Sequence, residues 1–220
     1  MFDLISEYPA SIDSNKDIFE KSWRKNPIFR IAKFGFDVAV CLILLPIAVV
    51  VALVLSIINP WLNPGPLFYT QLRMGKGCKP FIAYKFRSML PVGRIDRTAS
   101  APIEEDRIIP LGRFLRRSRL DELPQILNVL KCEMSLIGPR PDYLPHAEEF
   151  LLSVPGYRER HVVRPGISGL AQTEIGYAVG PSETRRKVAA DLFYIRRSSL
   201  RMEAWIVWRT LRTVLGLRGA

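Results

Sequence analysis

The stretch VAVCLILLPIAVVVALVLSII, residues 38–58, decides the fold. It is almost wholly Val, Ile, Leu and Ala, and no charged residue occurs from Val38 to Leu67. About 20 helical residues cross a bilayer's hydrocarbon core, so the run is long enough to span. It lies too far from Met1 for a secretory leader and has no small-residue cleavage site behind it. Two details argue against a simple bitopic span, the alternative reading. Pro46 sits inside the run, where the missing N–H and the ring cost about 3 kcal/mol unless the backbone is re-satisfied. Both flanks are also basic: Lys21, Arg24, Lys25, Arg30 and Lys33 precede it, and Arg73, Lys76, Lys79, Lys85 and Arg87 follow it. A spanning helix normally carries its Lys/Arg excess on the cytoplasmic side only. Symmetric charge places both ends in the cytoplasm, and Val38–Leu45 would reach only about 12 Å at 1.5 Å per residue. The expectation is a polar, basic lead-in over residues 1–30, a re-entrant membrane helix over 31–62 broken at Pro46, and a cytoplasmic domain over 63–220.

The bulk numbers agree with one compact domain plus an appendage: 220 residues, of which 32 are Lys or Arg and 21 Asp or Glu, for a net charge of +11. Such a balance implies an anionic partner, whether nucleic acid, anionic lipid or a phosphorylated small molecule. Nucleic acid is set aside, because no RRM, KH or zinc-finger pattern occurs and a long apolar run would serve no purpose there. Cys41, Cys78 and Cys132 are an odd set without CxxC spacing, which suits reduced thiols. His146 and His161 are too few and too scattered for zinc.

Downstream, Leu67–Arg73 and Phe81–Met89 read as two strands joined by a loop. The Gly75-Lys76-Gly77 within it is no Walker loop, since the upstream glycine and the following Ser/Thr are missing. Period-2 alternation puts Lys85 and Arg87 on one strand face, either as a phosphate clamp or as a solvated surface. Pro91–Pro110 is a polar connection. Next comes RRSRLDELPQILNVL, residues 116–130, in which Leu123, Ile126, Leu127 and Leu130 follow the i, i+3, i+4, i+7 rule of an amphipathic helix. Pro124 is tolerated only in the first turn, so Asp121 and Glu122 open that helix, beside unpaired N–H groups and the positive end of the dipole. Two carboxylates beside arginines suit a metal ion, a nucleophile and an anionic substrate; plain helix capping is the bland alternative. Arg140 stands between Pro139 and Pro141, which fix its backbone and present the guanidinium. Ala147–Ser153 reads as a short helix, and Ser182–Ser198 as a longer one containing Asp191 and Tyr194. The last helix, about Ser199–Leu217, mixes Trp205, Trp208, Leu200, Leu211 and Leu215 with arginines; membrane interface and core fit it equally well. The fold class is therefore α+β and mostly helical: a re-entrant membrane helix plus a compact cytoplasmic domain with a small β-hairpin and interfacial amphipathic helices.

Several ordered blocks together resemble the bacterial sugar transferases, the monotopic polyprenyl-phosphate phosphoglycosyl transferases, in their small ExoY-like form. They are Lys33…Asp37…Pro46, GPLF (65–68) with QLRMG (71–75), YKFRSM (84–89), LRR (115–117) with LDELPQ (120–125), MSLIGPRP (134–141), RPGISGLAQ (164–172), Asp191…Tyr194 and Ser199-Leu200. The resemblance implies that Asp121 is a nucleophile and that Glu122 helps hold Mg²⁺. It implies phosphate-binding roles for Lys85, Arg87, Arg116 and Arg140, and donor-site support from Asp191 and Tyr194. It implies a nucleoside diphosphate sugar donor, most readily a UDP-sugar, and undecaprenyl phosphate as acceptor. The product would start exopolysaccharide or other glycoconjugate synthesis at the cytoplasmic face of a bacterial inner membrane, and the family permits self-association into a homo-oligomer. Leu45 stands where many members have Ser before the kink proline, Arg119 where they have Ser, and Cys132-Glu133 where Gly-Asp is common. A non-catalytic membrane-peripheral scaffold in polysaccharide export is the competing reading; it makes Asp121 and Glu122 dispensable.

Overall fold

The computed structural model describes residues 16–90, 104–176 and 181–217. The first part of the expected lead-in and most of the 91–110 connection lie outside the described residues. Within the lead-in, Lys16–Arg24 form helix α1. Phe19 of α1 is buried in the main core, and Trp23 meets Phe29 edge-on with ring centroids 5.8 Å apart.

Helix α2 runs Pro27–Leu62. Pro27 occupies the first turn, where a missing N–H is harmless, and the Asn26 side chain accepts the Phe29 N–H at 2.9 Å. This is the one described helix long and apolar enough to cross a membrane. It continues through Pro46 instead of breaking there. Packing explains the difference: Cys41 and Ala48, on either side of the proline, are buried against Ile126, Val129 and Phe81, with Leu44 and Leu45 beside them. Those contacts hold both flanking turns helical against the loss of a single ladder bond. The buried residues of α2 are Phe29, Lys33, Asp37, Cys41, Ala48, Leu55 and Asn59. Steps of four and seven residues turn by about +40° and −20°, so the set stays within about 120° of the helix circumference. A single stripe therefore lies along the domain from end to end, and the opposite flank leaves Leu42, Ile43, Val50, Leu53 and Ile57 exposed.

Strands β1 (Phe68–Met74) and β2 (Pro80–Phe86) pair antiparallel from Phe68↔Phe86 to Met74↔Pro80. Phe81 and Ala83 point into the core. At the start of the hairpin Gly65 adopts φ +121°, and a Cβ there would lie 3.1 Å from the Arg87 guanidinium. Helix α3 (Pro110–Arg117) precedes the 3₁₀ segment Leu120–Gln125, and α4 is only Ile126–Leu130. The acidic pair thus opens a 3₁₀ turn rather than a long α-helix. Pro124 cannot donate into an α-ladder, and tight turns of this kind are common where a helix begins. The apolar stripe is correspondingly shifted: Ile126 and Val129 are buried, whereas Leu127 is 41% exposed.

Strands β3 (Ser135–Ile137) and β4 (Gly166–Ser168) form a short parallel pair that periodicity cannot detect at three residues each. Helix α5 is Leu144–Ser153 and α6 is Leu170–Glu174. Helix α7 (Pro181–Arg197) contributes Val188, Leu192 and Ile195 to the main core. Helix α8 (Leu200–Leu215) is capped by Ser199, whose side chain accepts from the Met202 N–H. Its inward side is Met202, Glu203 and Ile206; Leu200, Trp205, Trp208, Leu211 and Leu215 all face outward.

Candidate functional site

The acidic pair is held where β2 meets the 3₁₀ turn. Arg119, immediately before the turn, takes a left-handed conformation with φ 59°, which swings the chain sharply after α3. Asn128 ties the turn's helix to the hairpin: its Nδ2 donates to the Ile82 carbonyl at 2.7 Å and its Oδ1 accepts the Tyr84 N–H at 3.2 Å. Lys85, the next residue of β2, then reaches Glu122 Oε1 at 2.7 Å. Arg140 Nη2 donates to the same oxygen at 2.6 Å, and Arg119 Nη1 to Oε2 at 3.2 Å.

Three cations therefore surround Glu122, and Asp121 is treated differently. Among the described residues its single ion pair within 4 Å is a long one, 3.9 Å from Lys85 Nζ. Burial pushes the Asp121 carboxyl above the ordinary carboxylate range, opposed by Lys85, with Arg116 and Arg140 acting in the same sense as Lys85. Burial also acts upward on Glu122, but Arg140, Lys85 and Arg119 together hold it well below that range. Burial lowers Lys85, against the pull of Glu122 and Asp121. Adjacent carboxylates thus sit in opposite electrostatic states, a pattern that separates a reacting group from a supporting one.

Arg140 is fixed by its backbone more firmly than two prolines alone would do. Each carbonyl from residue 139 to residue 142 accepts a hydrogen bond from another part of the chain. Gly166 N–H reaches Pro139 at 2.9 Å, Arg160 Nη2 reaches Arg140 at 2.7 Å, Arg73 Nη1 reaches Pro141 at 2.6 Å and Met74 N–H reaches Asp142 at 3.1 Å. Arg160 is 1% exposed and also pairs with Asp142 at 2.6 Å and Asp191 at 2.8 Å. Lys187 joins at 3.0 Å from Asp142, which is also held by the Tyr157 hydroxyl at 2.8 Å. A buried charge network thus stands directly behind the presented guanidinium.

The expected site residues divide accordingly. Asp121, Glu122, Lys85 and Arg140 converge. Arg116 borders them: its Nη1 rests 3.4 Å from Met89 Sδ while its charge acts on Asp121. Arg87 is not brought in. Its Nε donates to the Pro66 carbonyl at 2.7 Å and its Nη2 to the Asn63 carbonyl, while Asn63 Nδ2 returns a bond to the Arg87 carbonyl at 3.0 Å. The arginine clamps the exit of α2 onto the hairpin. Asp191 stands behind Arg140, one residue removed through Arg160, and Tyr194 lies elsewhere, donating to Glu203 Oε1 at 2.5 Å. The sequence reading has Arg119 only as one of the arginines beside the pair and Arg73 and Arg160 only as members of basic stretches, and it gives Asn128 no role. An arginine in a basic run looks the same whether it faces water or a buried carboxylate.

No cluster of three His, Cys, Asp or Glu able to hold a metal occurs among the described residues. With Glu122 engaged by three donors, the dyad has the Asp121 carboxylate and little of Glu122 to spare. That donor set fits a hard cation carried in on phosphate oxygens and water, the usual habit of Mg²⁺, and not a resident ion caged by protein.

Comparison with known proteins gives a consistent picture. Residues 28–217 match the family model described as bacterial sugar transferase. The chain is 40% identical over 195 residues to an Aeromonas hydrophila protein named UDP-N-acetylgalactosamine-undecaprenyl-phosphate N-acetylgalactosaminephosphotransferase, covering 89% of this chain and 46% of that one. It is 36% identical over 180 residues to a Klebsiella pneumoniae protein named UDP-glucose:undecaprenyl-phosphate glucose-1-phosphate transferase, covering 76% and 37%. An exopolysaccharide production protein, PSS, of Rhizobium leguminosarum bv. phaseoli is 36% identical over 191 residues, covering 82% and 94%. The chain thus spans less than half the length of the first two relatives and nearly all of the third.

Proposed function

The chain belongs to the bacterial sugar transferase family, and from that premise we propose that it moves a sugar-1-phosphate from a nucleoside diphosphate sugar, a UDP-sugar first of all, to undecaprenyl phosphate. The observation that carries this reading is the asymmetry of the dyad: Glu122 is neutralised by three cations, and the adjacent Asp121 is not. An Asp121 oxygen attacks the phosphorus that bears the sugar. The anhydride bond to the nucleotide breaks, and nucleoside monophosphate leaves with the bonding pair. A phosphosugar ester of Asp121 remains. An oxygen of the lipid phosphate then attacks the same phosphorus, the aspartyl ester breaks, and the carboxylate is regenerated with polyprenyl-diphospho-sugar as product. Two displacements at one group let a soluble donor and a membrane-bound acceptor use the site in turn.

Lys85, Arg119 and Arg140 lower the repulsion between an anionic nucleophile and an anionic phosphate, and the pinned backbone of residues 139–142 keeps Arg140 aimed without reorganisation. Mg²⁺ arriving with the diphosphate would add further charge neutralisation beside Asp121. The relatives' names support the acceptor and the UDP-linked donor class. Purified full-length chain, given a panel of UDP-sugars and undecaprenyl phosphate, is expected to release UMP and form lipid-linked sugar with at least one donor. Lipid product from none of a broad nucleotide-sugar panel would favour the export-scaffold reading.

The same reading seats the chain on one face of a bacterial inner membrane. The N-terminal part of α2 is tied to the domain by Lys33–Glu203 at 2.7 Å, the middle by Cys41 and Ala48, and the end by Asn63–Arg87 at 3.0 Å. A helix fastened to one polar domain along its whole length keeps both ends on one side, and its apolar flank enters a single leaflet beside the outward Trp and Leu residues of α8. Single cysteines placed at the exposed positions Lys25 and Pro64 in a cysteine-free background are expected to react with a membrane-impermeant maleimide only in inverted vesicles. Opposite sidedness at the two positions would refute this seating.

A further inference from the structure

One face of β1 carries groups that the chemistry at Asp121 leaves unused. Alternation puts Tyr69, Gln71 and Arg73 on the same side of the strand, and the register sets Tyr69 directly opposite Lys85 and Gln71 opposite Ala83. From that face Lys85 reaches Glu122 at 2.7 Å, and Arg73 Nη1 reaches the Pro141 carbonyl, next to Arg140, at 2.6 Å. Burial lowers Arg73 and Arg140 repels it, while Glu122 and Asp142 support its charge. Asn128 occupies the other edge of β2, so β1 is the strand further from the 3₁₀ turn. Tyr69 therefore stands about 5 Å beyond β2 as seen from the acidic pair.

The Gln71 side chain is oriented by Arg73. Its Oε1 accepts from Arg73 Nε at 3.2 Å and from Nη2 at 2.9 Å. A guanidinium only donates, so the amide cannot be turned the other way: its oxygen is held by Arg73 and its NH₂ group faces away from that residue. Tyr69, two residues back on the same face, is 37% exposed. An amide restricted to donating, beside a flat aromatic surface at the edge of a phosphate site, suits a planar ring with carbonyl acceptors. A sugar ring has no flat π-face, and its hydroxyls donate as well as accept.

We propose that Tyr69 and Gln71 seat the base of the donor nucleotide, a uracil-like pyrimidine, with Tyr69 stacking on the ring and Gln71 Nε2 donating to a ring carbonyl. This rests on the reading of the donor as a UDP-sugar. An in-line displacement sends the nucleotide out on the side away from Asp121, which agrees with a seat beyond Lys85. Arg73 fixes the amide before the nucleotide arrives, so little side-chain freedom is lost on binding.

The test is calorimetric binding of UMP, and of pyrophosphate as a ligand with phosphates and no base, to the full chain in neutral detergent with Mg²⁺. Tyr69→Leu is expected to weaken UMP about tenfold and pyrophosphate by less than about twofold, and Tyr69→Phe, which keeps the ring, to restore UMP. Gln71→Glu keeps an oxygen for Arg73 but loses the donor. It is expected to weaken UMP about fivefold more than pyrophosphate, which feels the added negative charge at least as strongly. Should one variant fail to fold, the other carries the test. Unchanged UMP affinity in the variants, or equal weakening of UMP and pyrophosphate, would overturn the seat. Binding needs no turnover, so the two readings fail separately. A parent that transfers no sugar, yet binds UMP and loses it in these variants, would overturn the reaction and uphold the seat.

Discussion

Asp121→Asn is expected to reduce turnover by at least about a thousandfold without loosening the fold, because an amide oxygen cannot form and release the phosphoryl ester. Stability separates this from a merely damaged protein. Burial raises the folded-state pKa of Asp121 above its unfolded value of about 3.9. A carboxyl raised in this way favours the fold at low pH and opposes it as pH climbs through the folded value. Removing the charge therefore leaves the melting temperature at neutral pH equal to or above that of the parent. The same shift moves the acid limb of the rate profile above the ordinary aspartate range, since only the ionised group attacks. Loss of activity with a large drop in melting temperature would point to a structural role instead.

Arg160→Met is expected to have the largest effect on stability. It removes the shared partner of Asp142 and Asp191, and Asp191 is then left buried with Lys187 as the nearest remaining source of compensating charge. Breaking a buried pair from one side costs about 3–5 kcal/mol, against roughly 0–1 kcal/mol for a surface pair. For a chain of this size the melting midpoint falls by on the order of 10 °C. Because Arg160 also holds the Arg140 carbonyl, turnover of whatever still folds falls as well. Arg160→Lys keeps the charge but cannot bridge two carboxylates and a carbonyl, so calorimetry is expected to place it between the parent and Arg160→Met. A midpoint unchanged in Arg160→Met would mean that the network contributes no net stability.

What could be read from the residues depended on how local the signal was. The apolar run at 38–58, the hairpin and the Pro-flanked Arg140 each advertise themselves over a few neighbouring positions. Asp121 and Glu122 were visible as a pair, but their opposite environments were not. Those come from Lys85, 37 residues before Glu122, and Arg140, 18 residues after it. Pro46 misled because a local rule about helix interiors was overridden by packing against α4 and the hairpin. Arg87 misled for a related reason: strand alternation predicts a face but not that carbonyls of residues 63 and 66 await the guanidinium there. The parallel pair β3–β4 is too short for any period to show, although Gly166 hints at it. A Cβ there would come within 2.1 Å of Gly138 N.

The central claim is that phosphorus is bonded to Asp121 partway through turnover. Purified chain incubated with a UDP-sugar labelled in the sugar-bearing phosphate, without acceptor, then quenched and digested, is predicted to yield a labelled peptide spanning Asp121. That label is predicted to chase into lipid product when undecaprenyl phosphate is added. Product that accumulates while no labelled peptide ever forms would contradict the account.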